Sequence, residues 1–279
     1  MKIFVFYAPR HWLRSERFGQ TILYYMSYFE VFILSLIEGL TEFLPVSSTG
    51  HLILASAIMK MQPTDFSKAF DVIIQFGAIL AVVVLYWRKL KWDFVFYRNI
   101  TLAFLPTAIL GFLFKNKIDL LLESSTVVAV SLIVGGVFLI LIDSLFKHHP
   151  NRELTPQSSL MIGLAQSVAM IPGVSRSAAT IIGARFFGLT REKAAEFSFI
   201  LAIPTLGAAT AYKLWKIRDL VQGDNMTLLG LGIFLSFVFA VWAIKFFITI
   251  VNRYGFKFFG YYRIVAGGAV LLMKYAGML

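Results

Sequence analysis

The residues best equipped for chemistry fall in one fourteen-residue stretch, Glu38 to His51, which reads E-G-L-T-E-F-L-P-V-S-S-T-G-H. Two carboxylates, the hydroxyls of Ser47, Ser48 and Thr49, and one imidazole sit there between apolar runs. Glu38 and Glu42 are spaced i, i+4, so a helix points both carboxylates the same way. Pro45 breaks that helix, and the hydroxyls follow at the break. Ser and Thr at such a place can simply satisfy backbone freed by the proline, which accounts for Thr41, Thr49 and Ser47. It does not account for two carboxylates. A carboxylate at membrane depth stays ionised only beside a cation, so a divalent metal, Arg176 or His51 is required. Glu38 or Glu42 on a metal that also binds a phosphate oxygen suits Mg or Ca.

A second constellation, P-G-V-S-R-S-A-A-T from Pro172 to Thr180, reads as a break followed by a helix start. Ser175 or Ser177 can cap that helix, whose free N–H groups favour an anion. Arg176 adds a fork of donors matched to phosphate oxygens, and Thr180 lies one turn beyond Ser177. The plainer alternative is that Arg176 pairs with Glu38 or Glu42 and neutralises the interface.

These groups must be held by membrane-embedded helices. The chain has 279 residues, 58% hydrophobic and 15% charged, against about a quarter charged in a soluble domain. A formal charge of +11 does not indicate nucleic acid, because the basic residues are scattered through short gaps between apolar runs. Anionic lipid headgroups are the expected partners. The absence of cysteine excludes disulfides, thiolate metal sites and cysteine nucleophiles.

Six runs are expected to span: about Phe70 to Trp87, Ile100 to Phe114, Thr126 to Phe146, Ala194 to Trp215, Thr227 to Val251 and Tyr261 to Met278. Regions 28 to 61 and 157 to 189 are apolar but broken, each half too short to span. They are read as re-entrant hairpins. Gly39-Leu40-Thr41-Glu42 before Pro45-Val46-Ser47-Ser48 parallels Gly163-Leu164-Ala165-Gln166 before Pro172-Gly173-Val174-Ser175, with three extra residues in the second. Three spans lie between the hairpins, so the halves, about 26–146 and 157–279, form an inverted repeat whose breaks meet near the midplane. The fold class is thus an all-α polytopic membrane protein with a single domain over 26–279. Residues 1–25 lack a long apolar core and cleavage site, and Met26 is the expected start.

Inner loops carry more Lys and Arg than outer ones, Arg263 counted among the inner, which points the first hairpin outward. The basic tail, if outside, evens that count. His11 in the tail and His148 and His149 beside Pro150 are expected to be solvated. Asp71 and Asp143 are read as interfacial. Gln75 and Gln166 either line the cavity or bond helix to helix.

Together the two motifs resemble the signatures of the bacterial undecaprenyl-diphosphate phosphatase family, also called bacitracin resistance proteins. The resemblance runs from Met26 to the C-terminus and takes in I-I-Q-F-G-A-I-L-A-V-V-V and E-F-S-F-I-L-A-I-P. Ala178 stands where the family usually has Gly. The resemblance implies hydrolysis of a C55 polyprenyl diphosphate to the monophosphate, recycling the lipid carrier for cell-wall synthesis. It implies divalent-cation dependence, a site facing outward in the bacterial cytoplasmic membrane, and often a homodimer. Its important residues fall on Glu38, Glu42, Ser47, Ser48, His51, Ser175, Arg176, Ser177 and Thr180.

The chemistry of phosphoanhydride cleavage points to the same positions, since it needs charge neutralisation, a nucleophile and a proton acceptor. Ser48 activated by His51 is the first candidate nucleophile, His51 itself the second and a metal-bound water the third. A lipid-phosphate transporter is the main rival, because inverted repeats with broken helices are also transporter architecture. The other membrane phosphatase type needs a second His six residues after its Arg, where this chain has Ile182.

Overall fold

A computed structural model describes residues 26–90, 93–121, 124–146 and 152–277. The tail, residues 1–25 with His11, and the loop histidines His148 and His149 lie outside those residues. Eleven α-helices are present among the described residues, and no strand. The first hairpin is α1 (Tyr28–Thr41) and α2 (Ser48–Ile58), followed by α3 (Asp65–Ile73), α4 (Gln75–Tyr86), α5 (Phe94–Leu121) and α6 (Ser125–Leu145). The second is α7 (Pro156–Ser167) and α8 (Arg176–Phe186), followed by α9 (Arg191–Lys216), α10 (Asp224–Tyr254) and α11 (Lys257–Tyr275).

Local chemistry starts these helices where the sequence provides caps. Ser27 and Glu30 form a reciprocal capping box on α1, and Thr64 with Ser67 and Thr155 with Ser158 do the same on α3 and α7. Proline does not end the spans as it ends the hairpin arms. Pro106 lies inside the 28-residue α5 and Pro204 inside α9, so the span expected from Ile100 starts six residues earlier, at Phe94. A spanning helix tolerates the one lost bond because neighbouring helices re-satisfy the freed group.

Among the described residues five helices are long and apolar enough to cross a membrane: Asp65–Tyr86, which joins α3 to α4, then Phe94–Phe114, Ser125–Leu145, Arg191–Lys216 and Asp224–Tyr254. The expected sixth, α11, has 19 residues, about 28 Å at 1.5 Å per residue. It carries Arg263 two turns from its start, fully buried, so that residue does not belong with the loop charges that orient the chain. The protein is an all-α, multi-pass membrane protein.

The two halves pack reciprocally. The first arm of each hairpin lies on the second span of the other half, α1 on α10 and α7 on α5, while α6 lies along α11. The close approaches use equivalent glycines. A methyl on Gly39 would come within 2.6 Å of the Ser236 carbonyl on α10, and one on Gly163 would strike Ala103 on α5. At one end of the bundle Asp143 accepts from Arg191 Nε at 2.8 Å and from the Phe256 amide at 2.7 Å. Arg185 donates to the Leu189 and Phe146 carbonyls nearby. These bonds fasten the loops around the second hairpin to the end of α6.

Candidate active site

The two breaks are built alike. Each short helix begins after a serine with positive φ, 71° at Ser47 before α2 and 73° at Ser175 before α8. Such a backbone costs a non-glycine residue about 1–3 kcal/mol and is held only where surroundings dictate it. The match sets Ser47 against Ser175 and Ser48 against Arg176, so the second copy carries four extra residues rather than the three inferred from sequence. Equivalent positions therefore hold a potential nucleophile in one half and a fixed cation in the other.

Glu42 joins them. Ser48 Oγ donates to one of its carboxylate oxygens, and Arg176 Nη2 donates to the other at 2.9 Å. The ion pair is nearly sealed from solvent, with side-chain exposures of 10% and 5%. Arg176 is itself fixed by the Ser198 carbonyl at 2.9 Å and lies over the Phe43 ring at 5.5 Å. The pairing with Glu42 is the plainer of the two roles considered for Arg176. Arg176 nevertheless faces a cavity of about 230 Å³, lined also by Glu42, Ser47, Ser48 and Ser175. Gln75, Gln166, Thr107 and Thr205 form more of its polar wall. Gln166 both lines the cavity and bonds helix to helix, donating to Thr107 Oγ1 at 2.8 Å.

Other expected site residues stand differently. Ser177 and Thr180, read as phosphate ligands, are fully buried and do not line the cavity. Ser177 donates to the Leu44 carbonyl at 2.8 Å, tying one break to the other, and Thr180 Oγ1 lies 2.7 Å from Ser198 Oγ. His51 is not bonded to Ser48. Its Nδ1 is 2.8 Å from the Ser47 carbonyl and its Nε2 is 2.6 Å from Tyr262 Oη, with the two rings stacked at 5.6 Å. The i, i+3 spacing suggested a Ser48–His51 pair, but the Ser47 carbonyl one turn back and Tyr262 on α11 take both ring nitrogens.

Glu38 is fully buried one turn before Glu42, and neither of its carboxylate oxygens has a hydrogen-bond donor. Glu42 has Arg176 and Ser48 as partners, so of the two only Glu38, which does not line the cavity, is an uncompensated carboxylate, and its oxygens are of the type a hard divalent cation takes. Among the described residues no group of three or more His, Asp and Glu is gathered for a metal, so further oxygens would come from substrate and water.

Sequence reasoning missed Ser198, Tyr262 and Arg263. Arg263 had a signal available, a guanidinium in the middle of an apolar run. The other two are ordinary residues for their helices and show their partners only in three dimensions.

The family model described as bacitracin resistance protein BacA matches residues 31–269. A protein of Bdellovibrio bacteriovorus named undecaprenyl-diphosphatase is 52% identical over 257 residues, covering 90% of this chain and 98% of that relative. Proteins of the same name from Flavobacterium psychrophilum and Aquifex aeolicus are 48% and 45% identical. They cover 90% and 87% of this chain, and 97% and 96% of their own lengths. This chain belongs to the bacitracin resistance protein BacA family.

Proposed function

We propose that the protein hydrolyses undecaprenyl diphosphate to undecaprenyl phosphate and inorganic phosphate, recycling a cell-wall lipid carrier and thereby conferring bacitracin resistance. The observation that carries this reading is the Ser48–Glu42–Arg176 chain across the two breaks. It sets a hydroxyl, a proton acceptor and a fixed positive charge around one cavity. Binding an anion would need only the charge.

In this mechanism Ser48 Oγ attacks the distal phosphorus as Glu42 accepts its proton. The bond from that phosphorus to the bridging oxygen breaks, and undecaprenyl phosphate leaves with the proton from Glu42. Arg176 and the uncapped start of α2 face the charge on the transferred phosphoryl. Water then attacks the phosphoserine as Glu42 takes its proton; the Ser48 Oγ–phosphorus bond breaks, Glu42 returns the proton to Ser48 Oγ, and phosphate departs. Glu38 and Glu42 would hold a Mg or Ca ion, which would supply further charge neutralisation on the phosphate oxygens. His51 acts here through the Ser47 carbonyl, as a brace for the turn that presents Ser48. An apolar groove of about 540 Å³ beside the first break, lined by Leu44, Val46, Ile250, Phe258 and Tyr262, suits a prenyl chain.

We place the protein in the bacterial cytoplasmic membrane with the first hairpin opening outward. The test of function is phosphate release by purified protein from a C55 diphosphate, with Mg or Ca and with chelator. Metal-dependent release by wild type and none by Ser48→Ala is expected. Bound lipid without release under any metal would leave lipid-phosphate transport as the better reading.

A further inference from the structure

We infer that Arg263 is a positioning residue that locks the two breaks in register, so that Ser48 and Arg176 address one phosphate. The inference rests on the phosphatase reading and extends it to a side chain outside both motifs. Arg263 is fully buried, two turns into α11. All five of its N–H donors end on backbone carbonyls. Nη1 reaches Pro45 and Val174, each at 3.0 Å. Nη2 reaches Gly173 at 2.9 Å and Ser131 at 3.0 Å, and Nε reaches Leu132 at 3.2 Å.

The choice of carbonyls is what assigns the role. Pro45 is two residues before Ser47, while Gly173 and Val174 directly precede Ser175, the two serines with positive φ. A broken helix leaves carbonyls without intrahelical partners, and in a membrane water is not there to serve them. One planar guanidinium satisfies carbonyls from both breaks and from α6 between them, which a point-like ammonium with three donors cannot do. α6 leaves room for it with glycine. A methyl on Gly135 would come within 2.9 Å of Arg263 Cζ, and one on Gly136 within 3.2 Å of its Cβ. Arg263 is absent from the cavity lining, so it acts through the turns and not on substrate.

The test compares wild type, Arg263→Lys, Arg263→Met and Gly135→Ala in detergent, with kcat and KM for a polyprenyl diphosphate and thermal unfolding of each. A misplacement near 1 Å lowers turnover ~100-fold. Folded Arg263→Lys is therefore expected to lose about that much kcat with KM changed less than about threefold. Gly135→Ala, which keeps the arginine but crowds it, is expected to fall in the same direction. If Arg263→Met does not fold, the other two variants still decide the matter. A folded Arg263→Lys with kcat within about threefold of wild type would overturn the positioning role alone. So would an activity loss accounted for wholly by unfolded protein. A wild type that releases no phosphate would instead remove the phosphatase reading, and this role with it.

Discussion

Glu42 spans the two halves of the site with its two oxygens, one taken by Ser48 and the other by Arg176. Removing its charge while keeping its shape should therefore damage both proton transfer and the setting of Arg176. Glu42→Gln is expected to lower kcat by ~10²–10⁴, the usual worth of a general base, as measured by phosphate release from folded protein. Glu38 differs, since its oxygens have no hydrogen-bond partner, and the proposed role for them is to hold the cation. Glu38→Gln should raise the metal concentration for half-maximal activity by about tenfold or more, with less effect at saturating metal. A metal titration reads this directly, and unchanged metal dependence would take Glu38 out of the ion site. Most of the site's residues were legible in the sequence because ionisable groups are costly in an apolar chain. Their pairing was not legible. Helix spacing put His51 next to Ser48, but the Ser47 carbonyl and Tyr262 lie nearer to its nitrogens.

Short apolar helices that stop at depth need neighbours close enough to replace lipid, and small residues supply the closeness. The arms α1 and α7 meet α10 and α5 at Gly39 and Gly163, where a methyl would collide with backbone. Gly163→Ala is expected to cost about 1–3 kcal/mol, the range for overpacking a filled interface, seen as a lower unfolding temperature in detergent. No shift would mean that α5 and α7 part easily. The breaks themselves were legible, because Pro45 and Pro172-Gly173 interrupt runs of otherwise spanning composition. Their register was not. The positive φ angles at Ser47 and Ser175 align the copies, and conformation of that kind leaves no mark when the residue is serine rather than glycine.

At the scale of the whole molecule, reciprocal packing of the two halves brings Ser48 and Arg176 to one cavity although 128 positions separate them. The polytopic class followed from composition, and the repeat from two ordered but weak similarities. The long-range partners of Arg263 could not be read, since backbone carbonyls look the same at every residue. Orientation is testable because the chain has no cysteine. Single cysteines at Gln62 and Asp219 should react with an impermeant maleimide from outside intact cells, and one at Glu153 only after lysis. The reverse pattern would turn the first hairpin inward. The most direct test of the mechanism is to quench a single turnover with substrate labelled on the distal phosphate and to map the label by mass spectrometry. Phosphoserine at Ser48 is expected in wild type, and none in Ser48→Ala. Label on His51, or turnover that continues in Ser48→Ala, would contradict it.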